Sequence, residues 1–121
     1  MSVYNLEDRL VDFAVLVLDV VEKLPSSYGS NHLAKQLTRS GTAPALIYAE
    51  AQAAESPADF VHKMKLALKE LRESFVCLKI LYKKGYLKKT DIKLIANENN
   101  ELIAIFVTSI KTAKENQIKK K

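Results

Sequence analysis

Residues 56–86 read SPADFVHKMKLALKELRESFVCLKILYKKGY, and this stretch decides the fold. Ser56 supplies a capping hydroxyl, Pro57 occupies a first helical position that needs no amide proton, and Asp59 places a carboxylate where the helix dipole favours it. Phe60, Met64, Ala67, Leu71, Ser74, Leu78 and Leu81 then follow in steps of four and three, and Val61, Leu68, Phe75 and Tyr82 widen the stripe. Gly85 is suited to a left-handed C-cap, with Tyr86 placed to fold back on the last turn. The spacing predicts a helix over 57–84, about 40 Å long at ~1.5 Å per residue.

Working outward, the same punctuation marks three more helices. The first is expected over 6–24, with Asn5 as cap, Glu7 and Asp8 in the first turn and Pro25 as terminator. The second is expected over 30–55 with Ser30 as cap. Pro44 predicts a kink in it, and its small residues, among them Gly41, Ala45 and Ala49, allow a neighbour to approach closely. The fourth is expected over 91–116 behind a Thr90 cap. Asn99 falls on its apolar stripe and predicts a local polar layer within a continuous helix. A frayed basic tail is expected over 117–121. Four long helices joined by short loops make an all-α protein, an antiparallel up-down-up-down four-helix bundle in one domain spanning 1–121.

Composition narrows the function classes. At 121 residues the chain should bury roughly two-thirds of its unfolded surface. Its 48% apolar content excludes a disordered chain. A single cysteine, Cys77, makes no internal disulfide and suits a reducing, cytoplasmic setting. The longest strongly apolar run, Phe13 to Leu18, is far below the roughly twenty residues of a membrane span, so no membrane role is expected. His32 and His62 belong to no metal-ligand pattern, and no phosphate loop or nucleophile elbow is present. The sequence reads as a non-enzymatic protein with no cofactor and no metal.

Two surfaces are unusual. Between Leu10 and Val21 only Asp12 and Asp19 are polar, so Val11, Val15, Leu16 and Leu18 need cover beyond one seam and are expected to form an oligomer interface. Ile105 and Val107 make a similar excess on the fourth helix. Charge is also uneven, at −3 over residues 1–24, 0 over 25–56, +6 over 57–89 and +2 over 90–121. Lys65, Lys69, Arg72, Lys79 and Lys83 recur on one face of the third helix, opposite its apolar seam, as a candidate nucleic-acid-binding ridge. Charge runs are usually only solvated, so a protein-interaction scaffold that binds no nucleic acid is the competing reading. Folding back the second and third helices around residues 56–57 sets Glu50 level with Lys63 and Arg39 within a turn of Glu70 and Glu73. These are candidate structural ion pairs.

Gln36 to Ala51 (QLTRSGTAPALIYAEA), followed by Ser56 to Lys63 (SPADFVHK) and Leu68 to Glu73 (LKELRE), resembles a bacterial family named for proteins encoded in intervening sequences of 23S ribosomal RNA genes. The resemblance spans nearly the whole chain. Its signature is Gln-x-x-Arg, a small-residue stretch, Ala-Glu, then Asp-Phe; many members carry Asn where Ile47 stands and Gly where Ala51 stands. It implies a four-helix bundle that commonly assembles as a homopentamer. A related branch, the accessory variability protein of diversity-generating retroelements, is a basic pentameric barrel that binds nucleic acid and a reverse transcriptase. Arg39, Glu50, Asp59 and Glu70 match family positions and take structural roles. The resulting expectation is an oligomeric bundle that contacts structured RNA or another nucleic acid, with a possible protein partner.

Overall fold

Leu6–Glu22 (α1), Tyr28–Gln52 (α2), Pro57–Lys83 (α3) and Lys89–Lys119 (α4) are the helices of the computed structural model, which describes residues 5–119. No strand occurs among the described residues. Each helix packs on its neighbour in sequence, and α4 returns to α1 to close an antiparallel four-helix bundle. The α1–α4 seam is the thinnest of the four.

The caps explain the boundaries. Asn5 Oδ1 accepts the Asp8 amide at 2.8 Å, and Ser56 Oγ accepts the Asp59 amide at 3.0 Å, so both starts follow from local chemistry. The start of α2 differs from expectation. Ser27, not Ser30, is the cap, accepting the Ser30 amide on its Oγ at 3.3 Å from an extended backbone. Ser30 lies inside the first turn, its hydroxyl buried with no hydrogen-bond partner among the described residues. Likewise α4 begins at Lys89, with the Ile92 amide donating to the Lys88 carbonyl, so Thr90 is a first-turn residue rather than the cap. α3 ends in a Schellman motif. Gly85 takes φ +84°, its amide donates to the Tyr82 carbonyl, and the Tyr86 amide donates to the Leu81 carbonyl. α1 stops at Glu22 and α2 at Gln52, each two or three residues early, and α4 runs on through Lys119 where fraying was expected. The last two residues of that expected tail, 120 and 121, lie outside the described residues.

The inner stripes of all four helices meet. Phe13 and Val17 of α1, Leu37 of α2, Leu71 and Leu78 of α3 and Leu102 and Phe106 of α4 are fully buried. Tyr48 of α2 reaches across the bundle to set its ring edge-on to Phe106, with centroids 6.1 Å apart. α2 continues through Pro44, which is itself buried in the packed interior. Gly41 permits the tight α1–α2 crossing, because a Cβ there would sit 2.6 Å from Val17 Cγ2. The expected polar layer is present: Ser74 Oγ donates to Asn99 Oδ1 at 3.0 Å, and Asn99 Nδ2 donates to the Leu71 carbonyl at 3.0 Å. Both side chains are wholly buried, and their mutual satisfaction offsets the desolvation that would otherwise destabilise this core.

Candidate nucleic-acid interface

α3 buries Met64, Ala67, Leu71, Ser74, Leu78 and Leu81, and this fixes what its opposite side presents. At about 100° per residue, Lys65, Lys69, Arg72, Lys79 and Lys83 fall within one face, and all five are exposed. The carboxylates of α3 are elsewhere. Glu70 accepts Arg39 Nη1 at 2.8 Å, and Glu73 accepts Arg39 Nη2, so both are directed to α2. Gln36 Oε1 takes a further bond from the same guanidinium at 3.3 Å. Lys63, which lies off the ridge, donates to Glu50 at 2.8 Å, and that hydrogen bond raises its pKa. The hairpin register thus brings Arg39 to Glu70 and Lys63 to Glu50.

No ridge cation is in an ion pair among the described residues. Lys79 lies over the Phe75 ring at 5.5 Å, which steadies it without neutralising it. Lys65 lies close to Lys114 of α4. That contact, then the like charge, holds the Lys65 ammonium below its ordinary pKa. The ridge therefore spreads onto a second helix. Sequence spacing along α3 could not show this, because Lys114 is 49 positions away and joins only through packing. Two positive charges held together, with neither paired to a carboxylate among the described residues, favour a bridging anion such as a phosphate.

The outer face of α1 is the second unusual surface. Val11, Val15 and Leu18 are 46%, 51% and 41% exposed, and Leu46 of the adjoining α2 is 67% exposed. Leu16 is less open than these: it is half-buried and packs on the core, on the side of α1 that turns toward α4. Val107 of α4 is exposed, while Ile105 is partly covered. Arg9, on the same side as Leu16, donates to Glu98 at 2.8 and 2.9 Å and to Glu101 at 2.6 Å across the thin seam.

The remaining chemistry is sparse. Burial pushes the Cys77 thiol above its ordinary pKa, and the Glu73 charge adds to this while Arg39 opposes it, leaving a neutral sulfur with little nucleophilic character. Among the described residues no group of three or more His, Cys, Asp or Glu could hold a metal ion, and no helix is long and apolar enough to cross a membrane.

Comparison with known proteins gives this arrangement its context. No curated protein matches the chain. A solved structure from Bacteroides thetaiotaomicron, described as a protein with unknown function from the S23 ribosomal protein family, superposes with a TM-score of 0.81 at 30% identity. The match covers 87% of this chain and 97% of that one. The family profile described as 23S rRNA-intervening sequence protein matches residues 5–108, which takes in α1, α2, α3 and most of α4. The chain belongs to the 23S rRNA-intervening sequence protein family.

Proposed function

We propose that the protein is a non-enzymatic, self-associating helical bundle that holds structured RNA through the outer face of α3. One observation carries this reading: five exposed cations share a face and none is matched by a carboxylate among the described residues. Arg9, Lys23, Arg39 and Lys63, by contrast, are all paired between helices. An unmatched row of ammonium and guanidinium groups releases phosphate counterions on binding, which gives salt-dependent affinity without reading sequence. The resemblance noted above implies a pentamer, and a ring would repeat the ridge and raise avidity. The exposed Val11, Val15 and Leu18 support that assembly, and the same face would suit a different protein partner in the scaffold reading.

The test is a salt titration of binding to a short RNA duplex, with the five cations replaced together by Gln. Every phosphate that is no longer neutralised should lower the slope of log affinity against log salt by about 0.9. The reading fails if affinity and slope are both unchanged. Mass in solution tests the assembly, and a monomer at micromolar concentration would remove it.

A further inference from the structure

The end of the bundle formed by the α1–α2 and α3–α4 turns carries features that the α3 ridge does not explain. Residues 22–35 and 84–93, beyond the last ridge cation Lys83, hold six lysines against only Glu22 and Asp91. Asp91 is already engaged with Lys23 at 3.7 Å. Within this basic end stands Tyr28, 95% exposed at the first position of α2. An aromatic ring left this open gains nothing from the core. It gains from a partner with a flat π face.

Tyr28 is also braced. Tyr86, from the turn after α3, places its hydroxyl 3.4 Å from Ser27 Oγ and within 3.7 Å of where a Cβ would stand on Gly29. These two residues flank Tyr28 in sequence, so the second turn supports the backbone that carries the exposed ring. Lys84 Nζ lies 5.9 Å from the Tyr86 ring centre. Two hollows open here. One, of about 320 Å³, is lined by Tyr28, Asn31, His32 and Lys35; the other, of about 360 Å³, lies between Tyr86, Lys88 and Lys23. Both volumes are in the range of small-ligand clefts, about 300–1,000 Å³.

We infer that this end of the bundle is a binding site for unpaired nucleotides, in which a base stacks on Tyr28 above the Asn31–His32–Lys35 hollow and the strand's phosphates run over Lys84 and Lys88. Asn31 offers a donor and an acceptor to a base edge, as an acidic peptide would not require. Exposed aromatics set among lysines form a platform that accepts any base, because every base has a π face. Lys83, the last ridge cation, immediately precedes this end, so a duplex on α3 would deliver its single-stranded flank here. The inference shares with the proposed function the premise that the ligand is nucleic acid, but it concerns a different surface and a different form of that ligand.

The chain has no Trp, so Tyr28→Trp installs a unique fluorophore at the site. Titration with an eight-nucleotide single-stranded oligouridylate and with its oligodeoxythymidylate counterpart should quench it saturably, whereas polyglutamate of equal charge should leave it unquenched. Tyr28→Ala should weaken oligonucleotide binding about five- to a hundred-fold, with Tyr28→Phe near wild type and duplex affinity unchanged. Helical content by circular dichroism verifies that each variant is folded. Equal affinity of Tyr28→Ala and wild type for the single strands overturns the inference, as does quenching by polyglutamate alone. Duplex binding without single-strand binding defeats this site and spares the ridge. The converse defeats the ridge and spares this site, and binding of neither defeats both.

Discussion

The outer faces of α1 and α3 are opposites built on the same inner plan. Each helix sends a stripe of aliphatic and aromatic residues into one core, Phe13 and Val17 from α1 and Leu71 and Leu78 from α3. Outward, α1 shows Val11, Val15 and Leu18 beside acids, whereas α3 shows Lys65, Lys69, Arg72, Lys79 and Lys83. The lateral charges explain how both faces stay so uniform. The one base of α1, Arg9, turns sideways to Glu98 and Glu101, and two of the three acids of α3, Glu70 and Glu73, turn sideways to Arg39. The ion pairs of Arg9, Arg39 and Lys63 thus lie in the seams between helices, leaving exposed aliphatics outward on one side and, among the described residues, cations without a paired carboxylate on the other. A buried stripe makes a helix part of the bundle, and its outward residues decide what the bundle meets.

The strongest way to break this comparison is to set the two sides of α1 against each other. Phe13→Ala should cost about 3–5 kcal/mol in urea unfolding, since it empties a fully buried site. Val15→Ser combined with Leu18→Ser should change the stability of the monomer by no more than about 0.5 kcal/mol each while lowering the mass of any assembly. If the outward pair costs as much as Phe13 with no change in mass, the outer face of α1 is core and the contrast with α3 disappears.

A smaller effect probes the core that both faces share. Asn99→Ala should destabilise by about 1–3 kcal/mol by emptying a fully buried site and removing the bonds to Ser74 Oγ and the Leu71 carbonyl, although Ser74 Oγ keeps that carbonyl as an acceptor at 2.8 Å, whereas Asn99→Leu with Ser74→Ala should come near neutral. Equal losses for the two variants in denaturant unfolding would show that the polar layer is not a coupled pair.

The smallest expected effect sharpens the contrast between matched and unmatched charge. Arg9→Gln and Glu98→Gln, made singly and together, should reveal a coupling of roughly 0.5–1 kcal/mol, as both side chains are mostly shielded and the contact is bidentate. Lys69→Gln on the ridge, where no carboxylate is paired with it, should leave the unfolding midpoint where it is. A shift at Lys69 comparable to the Arg9–Glu98 coupling would mean that the ridge has structural partners.

Much of the bundle was legible because its signals are local. Ser56, Pro57 and Asp59 at one end of α3 and Gly85 at the other act through bonds within four or five residues, so the helix could be bounded from its own sequence. The hairpin register that brings Arg39 to Glu70 followed from counting residues away from a short turn. The start of α2 was misread because Ser27 and Ser30 both suit a cap and Gly29 reads as a loop residue. Tyr86, arriving from the distant α3–α4 turn, packs against Ser27 and Gly29. The partial burial of Leu16 was illegible for a related reason: a run of aliphatics does not say which side of a helix its neighbours cover.

By itself, then, the sequence determined four amphipathic helices, their antiparallel order and the gathering of cations on the outward side of α3. Each depends on the 3.6-residue period, on caps or on loop length, which are properties of contiguous chain. Only the tertiary structure decided that Lys114 stands beside Lys65, that Leu16 is covered while Val15 is not, and that Tyr28, Tyr86 and the flanking lysines share one end. Those juxtapositions join residues tens of positions apart. They exist because packing Phe13, Leu37, Leu78 and Phe106 into one core fixes the rotation of each helix about its own axis.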